Sequence, residues 1–196
     1  IKLKNIYNLF SNNISNEIIL NIFPQFKYFK RLKTIDSLDS YLRVRYHDYL
    51  MLALLVVDQS NDFEYFCYKY KTSNHIKNKL KNISVNFENL KNKKFYSEEN
   101  IKKLIYLSGK DNIMDLLLFS LCANPKIKNI IIEKFIDYVN SCPVPKFPIS
   151  GDDLIKYGYK SGQELGAKLK LLEEKWIKNN FVLDKNLIEK SINKIN

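Results

Sequence analysis

The sequence contains few of the residues that interrupt regular backbone, with five glycines and five prolines among 196 residues. So few glycines and prolines do not supply the turns that a β-sandwich needs between its many short strands. No sustained alternation of apolar and polar residues appears either, and the apolar residues instead follow helical spacing almost throughout. We therefore predict an all-α fold.

Cysteine and histidine are also scarce, with three and two residues. Cys67, Cys122 and Cys142 lie far apart, and they form no C-x-x-C pair and no zinc-ligand spacing with His47 or His75. The sequence thus indicates no metal site. An odd number of scattered cysteines argues against a disulfide scaffold and is typical of a reducing compartment, so we expect a cytoplasmic protein.

Long hydrophobic runs are missing as well. The longest is YLMLALLVV, residues 49–57, whereas a membrane-spanning helix needs about 20 apolar residues. We expect a buried core helix here, no signal peptide and no membrane partner. The chain begins with Ile1 rather than methionine, from which we expect a longer protein that continues upstream.

Periodicity and capping signals predict helices over about 1–10, 15–23, 35–45, 47–57, 61–71, 74–90, 98–108, 110–123, 126–140, 151–157, 162–179 and 185–194. Pro24 should end the second of these, and Pro125 should lie in the first turn of the helix over 126–140. The clearest linker is CPVPKFP, residues 142–148, because its three prolines force extended backbone. We therefore predict a multi-helix body over 1–141, this linker, and a small C-terminal helical hairpin unit over 149–196.

The net charge is +11, and only three of the 32 basic residues are arginine. Heavy use of Asn, Ile, Lys, Tyr and Phe is typical of an AT-rich genome, so codon bias explains part of this charge. Its distribution is uneven, since residues 69–110 carry eleven lysines, three acidic residues and a net +8. This segment is either a solvated surface or a surface that binds phosphate. The lysines that we expect to contact RNA are Lys77, Lys79 and Lys81 on or beside one helix, and Lys91, Lys93 and Lys94 in the following loop.

No catalytic site can be assembled from the chain. The adjacent carboxylates Asp152 and Asp153 fit a variant capping box, in which Ser150 is the N-cap and Asp153 is the third helical residue. The aromatic stretch FEYFCYKY, residues 63–70, indicates a core stripe rather than a base-stacking surface. That stripe comprises Phe63, Phe66, Cys67 and Tyr70, while Tyr65, Tyr68 and Lys69 fall off it.

Four of the five glycines fall within ISGDDLIKYGYKSGQELGAKLKLLEEKWIKNNF, residues 149–181. Asp153, Leu154 and Ile155 should form a short helix that ends at Gly158. A connection over 159–163 should then lead into a long helix, whose apolar face comprises Leu165, Leu169, Leu172 and Trp176. We expect Gly151 and Gly162 to serve this hairpin, and Gly166 to let the long helix approach its neighbour closely.

A short helix, a glycine turn and a helix N-terminus leave backbone N–H groups that suit a phosphate. The backbone around Ser161, Gly162 and Gln163 is therefore a secondary candidate for RNA contact. The alternative is a compact helical hairpin whose glycines serve packing alone.

The same stretch resembles the C-terminal motif of bacterial class II tRNA nucleotidyltransferases, the CCA-adding enzymes and their poly(A) polymerase relatives, particularly of the alphaproteobacterial type. The family pattern has a glycine and Asp-Leu, a second glycine, Pro-Gly-Pro, and then a hydrophobic residue with glycine. It is matched by Gly151, Asp153-Leu154, Gly158, Gly162 and Leu165-Gly166, whereas Ser161 and Gln163 replace the usual prolines. Weaker resemblance extends upstream over HDYLMLALLV (47–56), YKTSNHIKNKL (70–80) and IYLSGKDNIMDLLLFSLCAN (105–124).

This resemblance implies that the chain is the tRNA-binding C-terminal part of such an enzyme and holds the acceptor and T arms. The family's catalytic head carries Gly-Gly-x-x-Arg-Asp and metal-binding carboxylates, and its neck carries a base-selecting Asp and Arg. Neither motif occurs in this sequence. The resemblance therefore implies that Mg²⁺, CTP and ATP are used by a head outside this chain, which itself has no catalytic residue and no cofactor. Two alternatives are an autonomous helical nucleic-acid-binding adaptor and a helical interaction module whose charge reflects codon bias alone.

Overall fold

The computed structural model describes residues 6–182, apart from the side chains of Ile6, Leu9, Asn13 and Ser15. Within this range the chain is helical and has no strand, which confirms the predicted all-α fold. The α-helices are α1 (Ile6–Ser11), α2 (Asn13–Ile22), α3 (Leu32–Ser37), α4 (Ser40–Arg43), α5 (Asp48–Val56), α6 (Asp62–Lys69), α7 (Asn74–Lys91), α8 (Glu98–Ser108), α9 (Lys110–Ala123), α10 (Asn129–Ser141), α11 (Gly151–Lys156) and α12 (Gln163–Lys178). Short 3₁₀ turns cover Phe29–Arg31 and Lys93–Phe95.

Two details of the predicted helices are wrong. The helix expected over 35–45 is divided into α3 and α4, because Asp39 has extended backbone and its carboxylate accepts a hydrogen bond from the Leu42 N–H at 2.8 Å. The helix expected over 126–140 begins only at Asn129. Pro125 lies in a preceding turn, which is closed by a hydrogen bond from Ile127 N–H to the Asn124 carbonyl at 3.3 Å. The helix predicted over 185–194 lies outside the described residues.

The chain divides into two compact units, of which the first ends at Cys142 and the second begins at Pro143. In the first unit, α9 contacts α5, α7, α8 and α10. Both α5 and α9 are apolar around most of their circumference, so they lie in the interior. The predicted core helix over 49–57 is confirmed, since Leu50, Ala53 and Leu54 are fully buried.

The second unit is a small helical hairpin of α11 and α12, preceded by chain without regular secondary structure over 143–149. Leu154 and Leu172 form its core, with Leu165 and Leu169 packed against them. The only tryptophan, Trp176, is buried between Phe147 and Phe181, with ring centroids 5.3 and 4.9 Å away. These contacts confirm the apolar face predicted for the long helix.

Across residues 6–182, no helix combines the length and the hydropathy required to cross a membrane.

Candidate nucleic-acid interface

Helix α7 has an apolar side and a basic side. Its buried residues are Leu80, Ile83 and Leu90. Lys91, predicted in the following loop, is instead the last residue of α7. Because successive residues turn by about 100°, Lys77, Lys81 and Lys91 fall within about 80° of one another, and the middle of this arc lies about 100° from the middle of the buried residues. All three lysines are exposed, and their backbone positions span about 21 Å along the helix axis at 1.5 Å per residue. We call these three residues, together with Lys93 and Lys94, the lysine surface.

The end of α7 is held in place by the buried part of the first unit. The Leu90 carbonyl accepts hydrogen bonds from the Tyr96 hydroxyl at 2.9 Å and from the Asn124 side-chain amide at 2.5 Å. Phe95 is buried and anchors the 3₁₀ turn that follows the helix. This turn presents Lys93 and Lys94 to solvent, so the two lysines lie on a rigid support.

Ion pairs neutralise all three carboxylates of the segment 69–110. The pairs are Lys91–Glu88 at 2.6 Å, Lys103–Glu99 at 2.8 Å and Lys134–Glu98 at 3.3 Å. In contrast, Lys77, Lys81, Lys93 and Lys94 are exposed and form no ion pair with another residue in 6–182. Their charges are therefore available to an external anion.

The structure places Lys79 differently from the other candidates. Its ammonium group lies 2.7 Å from Asp115 Oδ2 and 3.1 Å from Asn112 Oδ1. The Lys79 side chain is 17% exposed and that of Asp115 is 7% exposed. Asp115 Oδ1 also accepts a hydrogen bond from the Tyr49 hydroxyl at 2.9 Å. Burial, and then this hydrogen bond, raises the pKa of Tyr49 well above its ordinary value.

Lys79 therefore belongs to a packed polar cluster, and we leave it out of the lysine surface. The sequence contained a signal for this difference, since Lys79 precedes the fully buried Leu80 and lies four residues before the fully buried Ile83. Helical geometry places it at the edge of the apolar side of α7.

The turn between α11 and α12 has the conformation that its glycines permit. Gly158 has φ +92°, and it donates to the Ile155 carbonyl at 2.9 Å while Tyr159 donates to the Leu154 carbonyl at 3.2 Å. These two bonds form a Schellman motif, which ends α11. Gly162 has φ +139° and precedes α12, whose N-terminus has no side-chain cap. Ser161, Gly162 and Gln163 are exposed, so phosphate binding by their backbone stays a prediction.

The capping box at the start of α11 is confirmed. The Ser150 hydroxyl accepts from Asp153 N–H at 3.3 Å, and the Asp153 carboxylate accepts from Ser150 N–H at 2.9 Å. The side-chain hydrogen bond from Ser150, followed by the backbone one, lowers the pKa of Asp153. The role predicted for Gly166 is wrong, because a Cβ atom added there would meet nothing within 4 Å. The close approach occurs at Gly151, where an added Cβ would lie 3.4 Å from Leu165 Cδ2.

The aromatic stretch on α6 follows the prediction. Phe63, Phe66 and Cys67 are buried, whereas Tyr65 and Tyr68 are exposed. His47 and His75 are also exposed. Among residues 6–182, no group of three or more histidine, cysteine or acidic side chains is arranged to hold a metal ion.

The structure also brings together residues that the sequence did not single out. A cleft of about 230 Å³ lies between the second half of α7, the 3₁₀ turn and α8. Four asparagine side chains contribute to its walls. The residues that line it are Asn86, Asn89, Asn92, Lys94, Phe95, Asn100 and Leu104. Asparagine is so common in this sequence that its clustering was visible only after folding.

Comparison with known proteins gives short local matches. The chain is 40% identical over 53 residues to "CCA tRNA nucleotidyltransferase 1, mitochondrial" of Danio rerio. It is 46% and 44% identical over 43 residues to the proteins of the same name from Mus musculus and Homo sapiens. No protein-family model matches the chain.

The matched stretches cover 22–27% of this chain and 10–12% of the length of these relatives. At 40–46% identity they support a relationship to the tRNA nucleotidyltransferases. All three relatives are vertebrate mitochondrial proteins, so the alphaproteobacterial type expected from the sequence stays a prediction.

Proposed function

We propose that this chain is the tRNA-binding C-terminal part of a CCA-adding tRNA nucleotidyltransferase. The observation that carries the proposal is the local identity of 40–46% to three proteins of that name. The lysine surface supports it, because four of its five lysines have no ion pair with another described residue. The bacterial type of the enzyme and its cytoplasmic location belong to the same proposal.

The lysine surface suits RNA that is recognised by its backbone. The acceptor and T arms of tRNA are A-form helices, whose deep and narrow major groove hides the base edges from side chains. Contact is therefore made to phosphates and to 2′-hydroxyl groups. Lysine fits this task as a mobile point charge, and α7 holds its three lysines along about 21 Å of one helix side. The uncapped N-terminus of α12, near Gly162, is a secondary phosphate contact.

Nucleotide addition belongs, in this proposal, to a head encoded upstream of Ile1. That head would bind CTP, ATP and Mg²⁺. Residues 6–182 offer no carboxylate group that fits such an ion, so we assign no step of nucleotidyl transfer to them. Sequencing the gene upstream of Ile1 tests this point: we expect a Gly-Gly-x-x-Arg-Asp stretch, and an open reading frame without paired carboxylates would contradict the proposed parent enzyme.

Binding of the purified chain to tRNA tests the function itself. If about 3–5 phosphates are neutralised, log K should fall with log salt concentration with a slope of roughly −2 to −5. Replacing Lys77, Lys81 and Lys93 together by alanine should weaken the binding of different tRNAs equally and bring the slope about 2–3 closer to zero.

The matched control replaces Lys30, Lys33 and Lys128, which are exposed lysines outside the segment 69–110. It removes the same charge and should leave most of the affinity and of the slope. Equal losses in both triple variants would mean that only net charge matters, and the proposed interface would then be wrong. Absence of tRNA binding by the unsubstituted chain would contradict the function.

A further inference from the structure

We propose that the cleft between α7 and α8 binds one unpaired RNA base that carries an exocyclic amino group, such as adenine or cytosine. The lining residues that carry the argument are Asn86, Asn89, Asn92, Lys94 and Asn100. This inference rests on the proposed function, since it adds a base-binding subsite beside the lysine surface. It differs in kind from that surface, where charge rather than hydrogen bonding to bases provides the affinity.

The size of the cleft suits a single nucleoside. At about 230 Å³ it lies below the roughly 300–1,000 Å³ that is usual for drug-sized ligands. Asn86 and Asn89 lie one helical turn apart on α7, while Asn100 and Leu104 lie one turn apart on α8. Two rigid helices therefore form facing walls, and the anchored 3₁₀ turn closes one end.

Hydrogen bonds fix how three of the amides are oriented. The Asn86 Nδ2 donates to the Asn82 carbonyl at 2.9 Å, and Asn100 Nδ2 donates to the Phe95 carbonyl at 2.9 Å. The Asn92 Oδ1 accepts from the Lys94 N–H at 2.9 Å. The opposite ends of these amides, which are two oxygen acceptors and one NH₂ group with two donors, make no hydrogen bond to another residue in 6–182.

This pattern of acceptors and donors determines the chemical class of ligand. Two carbonyl oxygens accept from N–H groups, and an exocyclic amino group supplies two of them. The free amide N–H group of Asn92 can donate to a ring nitrogen. Neutral amides bind phosphate weakly, so the phosphate of the same nucleotide would be bound by Lys94, which lines the cleft. Unpaired nucleotides are the part of RNA whose base edges proteins can reach.

Side-chain amide NMR of the ¹⁵N-labelled 196-residue chain tests the site, with AMP as the probe and ribose 5-phosphate as the control for phosphate and sugar. We expect AMP to shift the side-chain signals of Asn86, Asn92 and Asn100. Ribose 5-phosphate should leave these three signals in place. Equal shifts with both probes would show phosphate binding alone and would overturn the proposal.

Asn86→Leu tests the base contact, and Asn78→Leu is its control at an exposed position of the same helix outside the cleft. Asn86→Leu should weaken AMP binding about fivefold, the effect expected from one lost hydrogen bond. It should also weaken tRNA binding several-fold without changing the salt slope, because no charge is removed. Asn78→Leu should leave both affinities unchanged.

Together, the two measurements distinguish a base of RNA from a free nucleotide as the ligand of the cleft. Loss of AMP binding with unchanged tRNA affinity would show that the cleft takes free nucleotides, which would overturn the RNA assignment. If Asn78→Leu weakened AMP and tRNA binding as much as the cleft variant does, the proposed site would also be overturned. A normal salt slope for tRNA without any response to AMP would remove this inference and leave the proposed function standing.

Discussion

Lys77 and Lys79 lie two residues apart on α7 and have different surroundings. The Lys77 side chain is exposed, whereas Lys79 is paired with the buried carboxylate of Asp115. Removing one partner of a largely buried pair leaves the other charge without compensation. At the scale of residues, Lys79 should therefore contribute to the stability of the fold, whereas Lys77 should contribute to RNA binding.

Lys79→Ala should lower the free energy of unfolding by about 2–3 kcal/mol, since it removes a hydrogen bond to a buried charged group. Lys77→Ala should change it by no more than about 0.5 kcal/mol, as is usual for exposed positions. Urea unfolding followed by far-ultraviolet circular dichroism measures both values. A similar cost for the two substitutions would contradict the proposed division of roles.

Gly166 provides a second prediction at this scale. It lies inside α12 with open space around it, and glycine costs a helix about 0.5–1 kcal/mol relative to alanine. Gly166→Ala should therefore stabilise the second unit by about that amount. Gly158→Ala is the contrasting variant and should destabilise it, because Gly158 has φ +92°. Trp176 fluorescence during urea unfolding measures the stability of this unit. If Gly166→Ala lowered that stability, the open space around Gly166 would be contradicted.

At the scale of elements, α11 is a helix of six residues that depends on its capping box. The pKa of Asp153 is lowered in the folded chain. A carboxyl group with a lowered folded pKa contributes stability above its unfolded pKa, about 3.9. This contribution is lost as the pH falls through the folded value. The second unit should thus lose stability in acid, when the Asp153 carboxylate is protonated.

Asp153→Asn should reduce the stability of the second unit at pH 6 and have a smaller effect at pH 2, because the carboxylate takes up a proton as the pH falls below the unfolded pKa of about 3.9. Unfolding followed by Trp176 fluorescence at both values measures the difference. Asp152→Asn, one residue earlier, is the matched control and should show a smaller dependence on pH. If both variants showed the same dependence, the cap would not be its cause.

At the scale of the whole molecule, the charge of +11 is unevenly distributed, with +8 in residues 69–110. The structure divides nine of the eleven lysines of this segment into three groups. Lys91 and Lys103 pair with the segment's own carboxylates, Lys79 pairs with Asp115, and six are exposed without an ion pair among the described residues, namely Lys69, Lys71, Lys77, Lys81, Lys93 and Lys94. Codon bias explains part of the lysine content, but not this separation.

The chain alone should add no nucleotide to tRNA. The proposed function assigns catalysis to a part of the enzyme outside this chain, and two-metal phosphoryl chemistry requires clustered carboxylates. Incubation with tRNA lacking its CCA end, labelled CTP or ATP and magnesium should give no incorporation above a control without protein. Clear turnover would contradict the assignment of this chain to the C-terminal part of the enzyme.

Local sequence signals determined most of the helices. The helices predicted over 98–108 and 110–123 begin and end at the predicted residues, because Ser97 caps the first and Gly109 separates them. The capping box and the apolar face of α12 were likewise predictable. Each depends on residues within a few positions of one another, where helix geometry alone decides which side chains meet.

Tertiary structure decided what depends on residues distant in the chain. Lys79 meets Asp115, 36 residues away, and the cleft joins asparagines of α7 to Asn100 of α8. The periodicity of one helix identifies its buried side, but not the polar group opposite that side on another helix. The sequence by itself therefore determined the helices, their caps and the excess of lysine. Only packing of the helices decided which lysines are neutralised, which stay exposed, and where four amides converge.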